Sequence, residues 1–106
     1  MNEKRAVICR MLDFYAGVLS LRQREALELY YYEDLSLAEV AENLGITRQG
    51  VYDAVKHGEE ALYALESTLG MVKRNSSVSE AARRIIELTD NEKIKALAGE
   101  ILAGQI

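Results

Sequence analysis

Apolar residues recur three and four positions apart along almost the whole chain, and no stretch alternates strictly between apolar and polar. That period belongs to α-helices, so an all-α fold is predicted. A first helix is expected over residues 3–17, with Ile8, Met11, Leu12, Tyr15, Val18 and Leu19 as its apolar stripe and Gly17 weakening its end. Ser20 followed by Gln23, and Ser36 followed by Glu39, have the spacing of capping boxes, in which the hydroxyl accepts from a first-turn amide and the longer side chain reaches back. They start a second helix that buries Leu21, Leu27, Tyr30 and Tyr31, and a short third helix that Gly45 stops. Thr47 caps a long fourth helix that runs to Leu69, where Gly70 is the next stop signal.

Within this fourth helix Val51, Val55, Gly58, Leu62, Leu65 and Leu69 are spaced alternately four and three apart. Such a heptad-like seam suits either a helix crossing its own core or a contact between subunits. Residues 73–77, with Asn75-Ser76-Ser77, lack apolar periodicity and are predicted to be a linker. Beyond it Ser79 and Asp90 are candidate caps of two short helices, the first carrying Ala82, Ile85 and Leu88 and the second Ile94, Leu97, Ala98, Ile101 and Leu102. Two short helices cannot bury both stripes alone. Residues 1–72 are therefore expected to form a helix-turn-helix domain, and 73–106 a linker and helical appendage packed on that domain or on a second subunit.

The segment around Gly45 is the informative one. A short capped helix, a glycine turn and a second capped helix make a helix-turn-helix, with Val40, Leu44, Ile46, Val51 and Ala54 where the two helices bury apolar groups and small Ala41 where they cross. In that motif the second helix enters the major groove of DNA with its N-terminal residues nearest the bases. Arg48, Gln49, Tyr52, Asp53 and Lys56 are then the outward candidates, Gln49 for adenine, Arg48 for a guanine edge or a phosphate, and Thr47 as a donor to the backbone. Arg22 and Arg24 on the second helix are candidates for further phosphate contacts.

Charge tempers this reading. Thirteen Lys and Arg stand against seventeen Asp and Glu, a formal charge of -4. Residues 47–62 hold Arg48 and Lys56 against Asp53, Glu59 and Glu60. Because phosphate neutralisation drives much of DNA affinity, weak binding is expected unless two copies present paired reading helices. The seam from Val51 to Leu69 and the apolar C-terminal stripes offer more helix surface than one small body covers, so a homodimer is predicted. Gly50, in the first turn of the reading helix, costs about 0.5 to 1 kcal/mol relative to alanine and loosens that edge.

The 106 residues are 49% apolar and 28% charged, enough for a core without being a low-complexity chain. No run approaches the roughly 18 to 20 apolar residues of a membrane span, and the first residues lack a secretory pattern, so no membrane insertion and a cytoplasmic location are expected. With one cysteine, Cys9, and one histidine, His57, neither an internal disulfide nor a structural zinc site is expected. The chain has no glycine-rich phosphate loop and no nucleophile beside a base. Neither catalysis nor a cofactor is anticipated.

From about residue 11 to 69 the chain resembles the YlxM family of small bacterial helix-turn-helix proteins, and beyond it the DNA-binding region 4 of sigma factors. The resemblance rests on Tyr30-Tyr31-Tyr32-Glu33-Asp34, on Leu35-Ser36-Leu37 and on the segment from Thr47-Arg48-Gln49 to Val51-Tyr52-Asp53. It implies an all-α body with a sigma-like helix-turn-helix lacking a wing. It also implies an association with the signal recognition particle pathway, inferred from genes placed beside those of its GTPases. Gly50 and His57-Gly58 stand where the family carries stronger helix formers. Two functions thus compete: a DNA-binding regulator, and a protein or RNA adaptor in that pathway.

Overall fold

The computed structural model describes residues 2–106, which contain six α-helices and, among the described residues, no strand. Two compact units divide the chain, residues 1–69 and residues 70–106. The first contains α1 (Glu3–Tyr15), α2 (Leu21–Leu27), α3 (Leu37–Leu44) and α4 (Arg48–Leu69); the second contains α5 (Met71–Leu88) and α6 (Glu92–Ala103).

Side-chain caps set most helix starts in the first unit. Asn2 Oδ1 accepts from the Arg5 amide at 2.7 Å and begins α1. Both predicted capping boxes close, at Ser20 with Gln23 and at Ser36 with Glu39. The backbone and hydroxyl of Ser36 bond the Glu39 carboxylate and hold its pKa below the usual range. Gly45 ends α3 at φ 68°, a left-handed conformation that glycine adopts without a Cβ penalty.

Two local features depart from the expected pattern. α1 ends at Tyr15 rather than at 17, and Ala16–Val18 tighten into a 3-10 turn. The tighter turn breaks the 3.6-residue period, so Val18, expected in the stripe, is 67% exposed. α2 continues as a π-helical turn over Glu28–Tyr32, with the Glu33 amide bonded to the Glu28 carbonyl at 3.1 Å. Leu21 is exposed instead of buried, whereas Leu27 and Tyr31 are in the core as expected.

α4 carries the centre of this core. Ile8, Met11, Leu12 and Tyr15 of α1, Ala26 and Leu27 of α2, and Val40 and Ala41 of α3 are buried, as are Val51, Ala54, Val55 and Leu62 of α4. The heptad-like seam therefore lies inside its own unit from Val51 to Leu62; Leu65 is half-buried and Leu69 is exposed. Gly58 is part of the seam because α2 comes so close there. A Cβ at Gly58 would stand 2.6 Å from Leu27 Cδ1 and 3.2 Å from Leu27 Cγ.

Tyrosine hydroxyls donated to carboxylates stitch the unit together: Tyr15 to Glu66 at 2.6 Å, Tyr32 to Asp13 at 2.5 Å, and Tyr31 to Glu59. Arg5 holds the end of the π-helical turn, donating to the Tyr31 carbonyl and to Asp34 Oδ1, each at 2.6 Å. Burial, then the accepting carboxylate, pushes the pKa of Tyr31 and of Tyr32 well above the ordinary phenol value of 10.0. A raised folded pKa means that folding favours the protonated phenol, so its contribution is complete below about pH 10 and is lost as pH rises beyond it. Urea midpoints are expected to fall above about pH 10, with a shallower fall in Tyr31→Phe and Tyr32→Phe. Equal slopes in all three proteins would count against this origin. Burial also raises the Cys9 thiol, which thus stays protonated near neutral pH.

In the second unit the predicted linker is absent. Residues 73–77 lie inside α5, Gly70 at φ 60° is the single residue between α4 and α5, and Ser79 is within the helix rather than at its start. The polar residues have partners or burial that the sequence conceals. Asn75 is buried, its amide nitrogen lies 3.4 Å from the Ile106 carbonyl, and its Oδ1 accepts from the Ile106 amide at 3.1 Å. Ser79 is buried one turn further along the side facing α6. Asn91, not Asp90, caps α6, accepting from the amides of Lys93 and Ile94.

Candidate nucleic-acid interface

The turn between α3 and α4 fixes how the second helix is presented. The Gly45 conformation turns the chain, and the Ile46 amide returns to the Ala41 carbonyl at 3.1 Å. Thr47 Oγ1 then accepts from the Gly50 amide at 3.0 Å, which caps α4. Accepting that bond leaves the Thr47 hydroxyl proton to donate outward, so capping and a phosphate contact are compatible. A Cβ at Gly50 would come 3.1 Å from the same Oγ1, so this turn is closely wound around its cap.

From this start α4 has two unlike sides. Val51, Ala54, Val55 and Gly58 are buried, and Arg48, Gln49, Tyr52, Asp53 and Lys56 are all exposed. Arg48, Tyr52 and Lys56 follow each other at intervals of four, which stacks them along one face. The Gln49 amide nitrogen donates to Asp53 Oδ1 at 3.0 Å. One N–H is thereby engaged, leaving the second N–H and the carbonyl oxygen, the pair that a bidentate contact to adenine needs.

Two grooves adjoin this face. One of about 500 Å³ is lined by Leu37, Arg48, Gln49 and Tyr52. The other, of about 250 Å³, shares Leu37 and Tyr52 with it and adds Lys4, Tyr30, Tyr31, Val55, Lys56 and Glu59. Three cations, Lys4, Arg48 and Lys56, thus line the pair against one acid. That acid is engaged, because Glu59 takes the Tyr31 hydroxyl bond and lies 3.3 Å from Lys4 Nζ. The local balance is positive although residues 1–69 hold seven Lys and Arg against twelve Asp and Glu.

Lys4, Tyr30 and Leu37 were not among the sequence candidates. Their signal is tertiary, since only folding brings the start of α1 and the π-helical turn beside α4. Arg22 and Arg24 go elsewhere. Between them Gln23 faces Gly58, ten residues or roughly 15 Å along α4 from Arg48. Neither arginine lines the two grooves, and Arg24 Nε lies 3.4 Å from Glu28. Among the described residues, no cluster of His, Cys, Asp and Glu could hold a metal ion, and no helix is long and apolar enough to cross a membrane.

A short capped helix, a left-handed glycine turn and a second capped helix with a polar outer face define a helix-turn-helix protein. The family model described as "Putative helix-turn-helix protein, YlxM / p13 like" matches residues 2–100, and the chain belongs to that family. It is similar to the UPF0122 protein TTE1463 of Caldanaerobacter subterraneus, 44% identical over 77 residues that make up 73% of this chain and 66% of the relative. A UPF0122 protein of Thermoanaerobacter is 44% identical over 85 residues, 80% of this chain and 73% of its own. The UPF0122 protein BH2485 of Halalkalibacterium halodurans is 34% identical over 103 residues, 97% of this chain and 92% of its own.

Proposed function

We propose that this chain is a non-catalytic, cytoplasmic DNA-binding regulator that reads a major groove with the first turns of α4. The observation carrying this reading is the exposed stripe of Arg48, Gln49, Tyr52 and Lys56 on a helix whose other side is buried. Gln49 and Arg48 address base edges, Thr47 and Lys56 address phosphates, and Asp53 holds Gln49 in orientation or accepts from a cytosine amine. Arg22 and Arg24, away from this edge, add only to the longer-range field. A homodimer would present two such helices to half-sites about one helical turn apart.

Fluorescence anisotropy with duplex DNA and structured RNA, repeated across salt concentrations, tests the proposal. Arg48→Ala is expected to weaken binding across sequences and to lower the salt slope by about 1 if it meets a phosphate, whereas Gln49→Ala relaxes preference at one base pair. Salt-insensitive or undetectable binding to both nucleic acids favours the second reading, a protein adaptor in the signal recognition particle pathway. The acidic balance of residues 1–69 is the observation on its side.

A further inference from the structure

In the helical hairpin of residues 70–106, Ile86 and Leu102 lie toward the seam, and five other large aliphatic side chains are turned away from it. Where α5 meets α6 the buried residues are Asn75, Ser79, Ala82 and Ala98, all small or polar. Ile85, Leu88, Ile94, Leu97 and Ile101 remain 39 to 79% exposed. The helices run antiparallel, since three residues join them and the start of α5 bonds the backbone of Ile106.

At about 100° per residue, Ile85 and Leu88 are rotated from the α6 direction by roughly 90° and 150°. On α6, Ile94, Ile101 and Leu97 are rotated from the α5 direction by roughly 60°, 80° and 120° in the same sense. In antiparallel helices, equal senses of rotation fall on one face. The hairpin is therefore largely apolar on one side, with the exposed Arg74 near the start of α5 as its charged edge, while the α5 side opposite carries Ser76, Glu80, Arg83 and Glu87.

We infer that this apolar face binds a second copy of the same chain, the two hairpins stacking into a four-helix bundle. A two-fold interface needs a patch that matches itself, and a flat apolar stripe with residues spaced three and four apart does so. The charges permit it: residues 70–106 hold six Lys and Arg against five Asp and Glu, so identical hairpins meet without net repulsion. The area also suffices. The five large aliphatic side chains, 39 to 79% exposed, offer roughly 500 Å² per copy, or about 1,000 Å² per pair, the least area a specific interface needs. The rival seam on α4 is occupied, because Val51, Val55, Gly58 and Leu62 are buried within residues 1–69. The inference stands independently of whether α4 reads DNA.

Sedimentation equilibrium of the full chain tests it. The wild type is expected to dimerise at micromolar concentration. Each substitution enters a two-fold interface twice, so Leu97→Glu should raise the dimer Kd by at least about 100-fold, and Leu88→Ala and Leu97→Ala, which keep good helix formers, by about 10-fold each. Ser76→Glu, on the polar face, should leave the Kd within about twofold. Circular dichroism separates these losses from unfolding, and the two alanine variants decide the matter if Leu97→Glu loses helicity. A wild type that stays monomeric at about 100 μM, whether its face is left bare or taken by another protein, overturns the inference. So do alanine variants that dimerise with wild-type affinity.

Discussion

Gly58→Val is expected to destabilise the protein by about 2 to 3 kcal/mol, and Gly58→Ala by about 1, measured as lowered urea midpoints. Two effects oppose each other at this position. Alanine improves helix propensity by about 1 kcal/mol over glycine. The new Cβ, however, would sit 2.6 Å from Leu27 Cδ1 and 3.5 Å from Gln23 Cβ, and Leu27 is fully buried. A buried leucine has nowhere to swing, so overpacking exceeds the propensity gain. The two effects separate in a Leu27→Val background, which removes the Cδ1 atom that the new Cβ would meet. There Gly58→Ala should become neutral or stabilising by up to about 1 kcal/mol, a coupling that a double-mutant cycle reads directly. If Gly58→Ala stabilised the wild-type protein by the full propensity gain, α2 and α4 would not approach as closely as described.

This glycine shows where sequence reasoning stopped. A glycine in a long helix reads as weakness until the neighbouring helix is in place, and nothing local announces Leu27. Gly45 and the serines at 20 and 36 are different, because their roles are satisfied within four residues. The hydroxyl of Ser36, the amide it bonds and the returning Glu39 carboxylate all lie in one short segment. The helix-turn-helix was legible for the same reason. So was the outward face of α4: once Val51 and Ala54 are assigned inward, the helical period leaves Arg48, Gln49, Tyr52, Asp53 and Lys56 outside.

The linker reading failed on composition. Asn75 and Ser79 are polar, and a polar run suggests solvent, but the two are one turn apart and turn toward α6. Asn75 satisfies both its amide groups on the Ile106 backbone, a partner 31 residues away. A small polar side chain allows two helices to come close. The cost is that Ile85, Leu88, Ile94, Leu97 and Ile101 are left without cover inside the hairpin. The groove beside α4 was hidden in the same manner, since Lys4 and Tyr30 join it only through the packing of α1 and the π-helical turn.

That π-helical turn makes Arg5 the second site of large effect. Arg5→Met, which keeps an aliphatic stem, is expected to cost about 2 kcal/mol, whereas Asp34→Asn should cost less than about 1. Both touch the same ion pair, yet Asp34 is exposed and Arg5 is not, so water replaces one partner far better than the other. Arg5 also donates to the half-buried Tyr31 carbonyl and lies 5.6 Å from the Tyr31 ring centroid. Charge-assisted bonds of this kind contribute about 1.5 to 3 kcal/mol each when shielded, and an exposed cation–π contact about 0.5 to 1. The local consequence is as informative as the stability. Tyr31 and Tyr30 line the groove next to Lys56, and the turn they belong to leads directly to the Ser36 cap of α3. Amide hydrogen exchange should therefore quicken first at Glu33 and Leu35, whose amides bond back to Glu28 and Leu29, before it changes in α4. Uniform quickening over residues 2–69 would mean that Arg5 supports the whole unit rather than this turn.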